Sequence, residues 1–270
     1  TSCEFSPDGT QLVTAGHRGA SLWQITEDNV TCLHKISDNY GIESCSFSCD
    51  GLSLIIGFHS GATLWQITDG NVTCLHRFVE KQPVTSCEFS PDGTQLVTVG
   101  HSGGGLWQVA GDNITCLHIF SDERFIRDCK FNYDGTQLVT AGYQTAKLWQ
   151  IAGDSITCLY IFSDDYGAET CQFSPDGTQL VIAGHSGASL WQITEDNATC
   201  LHRFSEEEDN ITSCEFSPDG TQLVIAGHSG ASLWQITDGN VTCLHISIEK
   251  YNVTSCEFSP DGTQLVTAGH

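Results

Sequence analysis

Histidines recur in this chain at a constant spacing, and they are the first residues in the sequence that could support chemistry. One set of six follows short apolar segments: His17, His59, His101, His185, His228 and His270. A second set of five follows a Leu: His34, His76, His118, His202 and His245. In one repeat Tyr143 and Tyr160 take both places, and this paired exchange suggests that the two positions sense each other.

Two interpretations of the histidines stay open. Imidazole titrates near pH 6.5 and is a common metal ligand, so a ring of histidines could sense pH or bind divalent cations. Alternatively, His is a half-buried polar residue at a strand end that duplication has copied, and we favour this interpretation. The sequence has no Cys-x₂-Cys pair, no phosphate-binding Gly-rich loop, no HExxH and no Gly-x-Ser-x-Gly. We therefore predict no metal site, no cofactor and no enzymatic activity.

The elements that position these residues repeat every 42 residues. The string "DGTQLV" occurs six times, and residues 50–55 are a degenerate seventh copy. Each of the six Trp residues has the same place in its repeat: Trp23, Trp65, Trp107, Trp149, Trp191 and Trp234. One repeat contains four alternating or β-branched segments, "TSCEFS", "QLVTAG", "SLWQI" and "VTCLHRF", separated by turn residues. We call them strands A to D. They predict an all-β chain without helices.

The repeats resemble the WD40-repeat family over the whole chain. The residues that carry the resemblance are "FSPDG" before the A–B turn, "QLVTAG" in strand B and "LWQI" in strand C. The resemblance implies a β-propeller of four-stranded antiparallel blades. The family's Trp–Asp pair is Trp–Gln here, its Asp and Gly–His are missing, and the strand B hydroxyl is Ile at 56, 182 and 225. We therefore expect the family's Asp–His–Ser/Thr–Trp hydrogen-bond network to be absent.

The repeat boundaries predict a single β-propeller domain over residues 1–270, as part of a longer protein. Units begin near residues 1, 43, 85, 127, 169 and 212, and a half unit follows at 254–270. The family resemblance favours seven blades, the last incomplete, and six blades are the alternative. Residues 1–17 and 254–270 are identical, so they compete for the same strand partners. We expect self-association through this seam.

Fourteen cysteines raise the question of disulfides. Thirteen occupy one position on strand A (Cys3, Cys45, Cys87, Cys129, Cys171, Cys214, Cys256) or one on strand D (Cys32, Cys74, Cys116, Cys158, Cys200, Cys243). Strands A and D of one sheet lie roughly 14 Å apart, too far for a disulfide. We predict buried free thiols and a cytoplasmic location. Asn-x-Thr sequons leave secretion open: Asn29, Asn71, Asn113, Asn197, Asn210, Asn240 and Asn252.

The charge of the chain is strongly negative. There are 33 Asp and Glu against 10 Lys and Arg, a net charge of −23. Nucleic acid needs a basic surface, so the composition excludes it as a partner. No apolar run approaches the ~20 residues of a membrane span, so we expect no membrane partner. The charge favours a protein partner with a neutral or cationic surface.

Chain direction places the B–C turns and the D–A loops at one face of the propeller. The D–A loops are acidic, vary between repeats and hold most of the Tyr residues, so they are candidates for binding. The candidate binding residues on this face are His17, His59, His101, Tyr143, His185, His228, Tyr40, Tyr166 and Tyr251. We predict a non-catalytic protein-interaction scaffold.

Two other functions stay open. The first is a lectin-like or small-ligand-binding propeller with equivalent pockets repeated between blades. The second is a metal-dependent enzyme that uses His or the strand A carboxylates Glu4, Glu88, Glu215 and Glu257. We expect these carboxylates to be a solvated lining of a central channel.

Overall fold

The computed structural model describes most of the chain. Its described residues are 2–37, 41–68, 70–79, 83–121, 125–143, 145–162, 167–185, 187–194, 197–204, 210–237, 239–247 and 252–269. Within these ranges the chain forms strands and turns and no helix. Accordingly, no helix in the described residues could span a membrane.

The A–B turn shows why the repeated string "SPDGT" separates two strands. The Ser6 hydroxyl donates to Asp8 Oδ1 at 2.7 Å, and the Thr10 N–H donates to the same oxygen at 3.0 Å. Gly9 takes a positive φ of 70°, a conformation that costs glycine little. The Ser and Asp of this turn are repeated in the other A–B turns, with Asn132 in place of the Ser once.

Among the described residues, 26 strands form six sheets of four strands and one sheet of two. The first sheet contains β1 (Cys3–Phe5), β2 (Gln11–Gly16), β3 (Gly19–Ile25) and β4 (Val30–Ile36). The second contains β5 (Ile42–Phe47), β6 (Ser53–Phe58), β7 (Gly61–Thr68) and β8 (Asn71–Val79). The third contains β9 (Val84–Phe89), β10 (Gln95–Gly100), β11 (Gly103–Ala110) and β12 (Asn113–Ile119).

The remaining strands continue this series. The fourth sheet contains β13 (Ile126–Phe131), β14 (Gln137–Gly142), β15 (Ala146–Ala152) and β16 (Ser155–Phe162). The fifth contains β17 (Ala168–Phe173), β18 (Gln179–Gly184), β19 (Gly187–Ile193) and β20 (Ala198–Phe204). The sixth contains β21 (Ile211–Phe216), β22 (Gln222–Gly227), β23 (Gly230–Thr237) and β24 (Asn240–Ser247). The two-stranded sheet contains β25 (Val253–Phe258) and β26 (Leu265–Gly269).

Each four-stranded sheet has the strand order A-B-C-D. The described pairings between neighbouring strands are antiparallel, and the register repeats from sheet to sheet. For example, Val13 lies opposite Glu4 and Leu22, and Val97 lies opposite Glu88 and Leu106. The predicted four-stranded repeat and the incomplete seventh unit are therefore confirmed.

The chain divides into two compact units. The first contains residues 1–131 and 153–155, and the second contains residues 132–152 and 156–270. In each unit the apolar core lies between consecutive sheets. Leu22 and Ile36 of the first sheet pack with Phe47 of the second, and Val181 and Leu190 pack with Phe216 in the second unit.

The Trp side chains do find hydroxyl partners, although we expected the family's network to be absent. Where strand B keeps its Thr, the indole N–H donates to it, as from Trp23 to Thr14 at 2.9 Å. Where strand B has Ile, the indole uses a hydroxyl two residues earlier on strand C, as from Trp191 to Ser189 at 2.8 Å. The expectation was wrong for the Trp–hydroxyl part of the network, because strand B keeps its Thr in three repeats and a strand C hydroxyl replaces it in the other three.

Candidate functional site

The candidate residues that the structure describes lie at the tips of the B–C turns. We call this set the histidine edge; its members are His17, His59 and His101 in the first unit and Tyr143, His185 and His228 in the second. Segments that precede strand A pack against these turns. Phe125 N–H donates to the His101 carbonyl at 3.1 Å, and His228 N–H donates to the Asn210 carbonyl at 3.3 Å. Tyr40, Tyr166, Tyr251 and His270 lie outside the described residues.

Two histidines of the histidine edge pair with a glutamate at the start of strand A in their own sheet. His59 Nδ1 lies 3.3 Å from Glu43 Oε1, and His185 Nε2 lies 3.1 Å from Glu169 Oε1. The imidazoles are almost half exposed, so water and a partner can reach them. In the described part of the chain, no three His, Cys, Asp or Glu side chains are grouped as a metal site requires.

Phe125 is an exposed aromatic residue at this edge that the sequence analysis did not single out. Its ring centroid lies 5.3 Å from that of His101, and 48% of the residue is exposed. Its φ is 57°, and no other non-Gly residue in the described ranges has a positive φ. This conformation is unfavourable for a bulky side chain, and residues held in such conformations cluster at functional sites. An exposed Phe in a sequence segment flanked by charged residues was the available signal.

The paired exchange of His for Tyr in the fourth repeat has a different explanation from the one predicted. The Tyr143 ring lies 6.3 Å from the ring of His185, and the Tyr160 ring lies 6.1 Å from Trp191. Both tyrosines therefore contact the next sheet. The structure gives contacts from each to its neighbour along the repeat rather than from one to the other.

Three of the four strand A glutamates connect consecutive sheets, which corrects the predicted role of these three as a solvated lining. Glu4 Oε1 accepts a hydrogen bond from Phe47 N–H at 3.4 Å. Two more glutamates bond in the same way to the Phe N–H 43 residues later, Glu88 to Phe131 at 2.9 Å and Glu215 to Phe258 at 3.2 Å. The carboxylate replaces a strand-to-strand backbone bond that separate sheets cannot make.

The strand A cysteines make the matching contact one residue before the glutamates. The Cys45 thiol lies 3.2 Å from the Ser2 hydroxyl, and the Cys87 thiol lies 3.4 Å from the Ser44 hydroxyl. Burial raises the pKa of both thiols to about 12. The repeated string "Ser-Cys-Glu-Phe" thus supplies both halves of an inter-sheet contact.

One charged pair interrupts the series of glutamates. Lys130 Nζ lies 3.1 Å from Glu88 Oε1, and both side chains are largely buried. The Glu88 carboxylate raises the pKa of Lys130, and burial raises the pKa of Glu88 against the opposing effect of Lys130. The pair joins the A strands of the third and fourth sheets, β9 and β13.

The strand D cysteines are exposed, contrary to the prediction that they are buried. Cys32, Cys74, Cys116, Cys158 and Cys243 are exposed and Cys200 is half-buried, and all fourteen cysteines are free thiols. On strand A only Cys3 is exposed. The prediction of free thiols is consistent with this structure, but burial applies only to the cysteine position on strand A.

The Gln that replaces the family's Asp has a defined role in five repeats. Gln24 Nε2 donates to the Thr10 carbonyl at 2.9 Å, and Gln150 donates to the Thr136 carbonyl at the same distance. An amide can donate this bond and a carboxylate cannot. The Trp–Gln pair therefore joins strand C to the A–B turn.

Comparisons with known proteins agree with this architecture. The family model "WD domain, G-beta repeat" matches residues 69–105, 114–150, 198–235 and 234–270, together more than half of the chain. A crystal structure of the β-propeller domain of Cps50 (Swd1) from Myceliophteria thermophila is similar over 100% of this chain and 93% of its own, with a TM-score of 0.79 at 14% identity. That likeness shows the β-propeller fold. No curated protein matches the sequence.

Proposed function

Because this chain belongs to the WD40 family, whose propellers are typically protein-interaction scaffolds, we propose that it is a non-catalytic scaffold that binds a protein partner through the histidine edge. The net charge of −23 supports a partner with a neutral or cationic surface. Free thiols throughout support a cytoplasmic location.

The observation that carries this proposal is the exposed aromatic side chain of Phe125 beside His101. Aromatic anchors dominate the binding energy of many protein interfaces. Phe125 is about half exposed, and its backbone conformation is one that Gly adopts more easily. Its side chain therefore contributes little to the stability of the fold. In the second unit Tyr143 is 56% exposed beside His185 and offers the same kind of anchor.

A pull-down from native extract tests the proposal with a matched control. Phe125→Ala and Tyr143→Ala should each lower the recovery of the same partner by about tenfold or more, since interface anchors contribute about 2 kcal/mol or more. Tyr133→Ala is the control, because Tyr133 is 78% exposed in an A–B turn at the opposite edge of the sheet. Equal loss from Tyr133→Ala, or no loss from the other two, would contradict the proposal.

The two other functions receive less support. Equivalent pockets between blades require similar grooves, but the grooves measure about 520 Å³ between the first two sheets and about 20 Å³ between the fifth and sixth. For a metal-dependent enzyme, the described ranges contain no cluster of His, Cys, Asp or Glu side chains that could hold the metal.

Self-association through the seam is a second part of the proposal. In β25 and β26, Cys256 lies opposite Thr267, as Cys3 lies opposite Thr14 in the first sheet. The first sheet continues with β3, whose Leu22 lies opposite Val13, and Val266 is the identical residue of β26. A β3–β4 hairpin of another copy therefore fits β26 in sequence and register.

Analytical ultracentrifugation tests this part. The chain should form dimers or larger species that a peptide of residues 18–36 dissociates, because the peptide supplies the same strands. A scrambled peptide is the control. A chain that stays monomeric at high micromolar concentration, or dimers that the peptide does not dissociate, would exclude seam association.

A further inference from the structure

The groove between the first and second sheets differs from its counterparts because of one residue on strand D. In the second, fourth and fifth sheets, a Phe at this position packs against the Trp of the next sheet. The ring centroids are 4.9 Å apart for Phe78 and Trp107, and 5.0 Å apart for Phe162 and Trp191. The first sheet has Ile36 at this position. Among the described residues, the one ring beside Trp65 is that of His34, and the two ring centroids are 5.4 Å apart.

The missing phenyl ring leaves open space. The groove has a volume of about 520 Å³ and is lined on one side by His34 and Ile36 of β4 and on the other by Thr63, Trp65 and Arg77 of the second sheet. In the second unit, Phe204 and Trp234 line a groove of only about 20 Å³. Small-molecule sites commonly measure about 300–1,000 Å³.

The polar groups of this groove favour an anion. Arg77 lies opposite Thr63 in the β7–β8 pairing, and Thr63 and Trp65 alternate onto the same face of β7. Arg77 is exposed and has no ion pair with the part of the chain that the structure describes. Arg77 is thus one of only ten Lys and Arg residues in a chain of net charge −23.

We propose that this groove binds a small aromatic anion, a compound that joins an aryl ring to a carboxylate or phosphate. The ring takes the space beside Trp65 that a Phe fills in the other grooves. The anionic group meets the guanidinium of Arg77 and the hydroxyl of Thr63, since a guanidinium matches the geometry of both anions. The groove adjoins the B–C turn of His59 through Ser60 and Gly61, but its proposed ligand contacts Trp65, Thr63 and Arg77, so the proposal goes beyond the scaffold function.

Isothermal titration calorimetry of the full chain tests this site with phenyl phosphate and benzoate as probes. At least one probe should bind saturably at one site per chain, about tenfold or more tighter than inorganic phosphate or phenol, because each of these supplies only half of the contacts. Absence of saturable binding by both aryl anions, or equal binding of inorganic phosphate, overturns the proposal.

Three variants locate the binding. Ile36→Phe fills the space for the aryl ring and should weaken binding about tenfold or more. Arg77→Gln should weaken it by about tenfold or more, as loss of a charge-assisted hydrogen bond does. Arg203→Gln is the matched control, because Arg203 has the same place in the fifth sheet, where Phe162 already covers Trp191. Arg77→Gln is at the surface and keeps the test valid if Ile36→Phe folds poorly. Unchanged binding in Arg77→Gln, or equal weakening in Arg203→Gln, contradicts the assignment.

Discussion

Strand A, the inner strand of each four-stranded sheet, and strand D, its outer strand, both carry cysteine. The surroundings of the cysteine are opposite on the two strands. On strand A, Cys45 and Cys87 are buried against a serine of the preceding sheet. On strand D, Cys74 and Cys158 are exposed, although their spacing in the sequence is equally regular. The difference teaches that regular spacing identifies a structural position but does not say whether a neighbouring sheet covers it.

The first prediction tests this difference by thiol reactivity. Exposed Cys74 and Cys158 should react with iodoacetamide at pH 8 at least about a hundredfold faster than Cys45 and Cys87. A pKa of about 12 leaves the two buried thiols almost fully protonated, and the thiolate is the reactive form. Mass spectrometry of peptides from native protein measures the rates, and denatured protein is the control. Similar rates in the native protein would show that the inner strands are accessible.

The second prediction compares the same truncation on a covered strand, β10 (strand B), and on a strand D, β16. Leu96→Ala on β10 should lower the free energy of unfolding by about 2–5 kcal/mol, because Leu96 is fully buried and the change leaves a cavity. Leu159→Ala on β16 should cost about 1 kcal/mol or less, since Leu159 is 40% exposed. Urea unfolding followed by Trp fluorescence measures both. Equal shifts of the urea midpoint would remove the distinction between the covered strand and the exposed strand D.

The third prediction concerns the carboxylate links between inner strands. Glu88→Gln should lower the free energy of unfolding by about 1–2 kcal/mol, because it removes the charge that pairs with largely buried Lys130. Glu257→Gln has the same place on β25, where the residue is exposed, and should change stability little. Urea unfolding in parallel measures the two variants. If Glu257→Gln were as destabilising, charge alone rather than the link would explain the effect.

The fourth prediction is the smallest and concerns an exposed turn. Hydrogen bonds from Ser259 and Thr263 lower the pKa of Asp261 to about 2. A lowered pKa means that these bonds stabilise the turn above pH 4 and are lost as the pH falls through about 2. Carboxyl NMR titration should show this value, and Ser259→Ala should raise it. An Asp261 that titrates near pH 4 in the parent chain would contradict the turn geometry.

Much of the fold was predictable from the sequence because its signals are local. The "SPDGT" turn, the alternating strands and the four-strand unit each depend on residues within one repeat. The candidate site was less predictable. The histidine turns could be located, but Phe125 and the groove beside Trp65 depend on a backbone conformation and on a ring that Ile36 does not supply.

The sequence by itself determined the 42-residue repeat, the strands, the A–B turns and the incomplete last unit, because these follow from turn chemistry and side-chain alternation over a few residues. Only the tertiary structure decided which faces are covered. The contacts from Glu4 to Phe47 and from Cys45 to Ser2 each join residues 43 positions apart. Such contacts arise from packing between sheets, and the pattern inside one repeat contains no information on the neighbour that a side chain will meet.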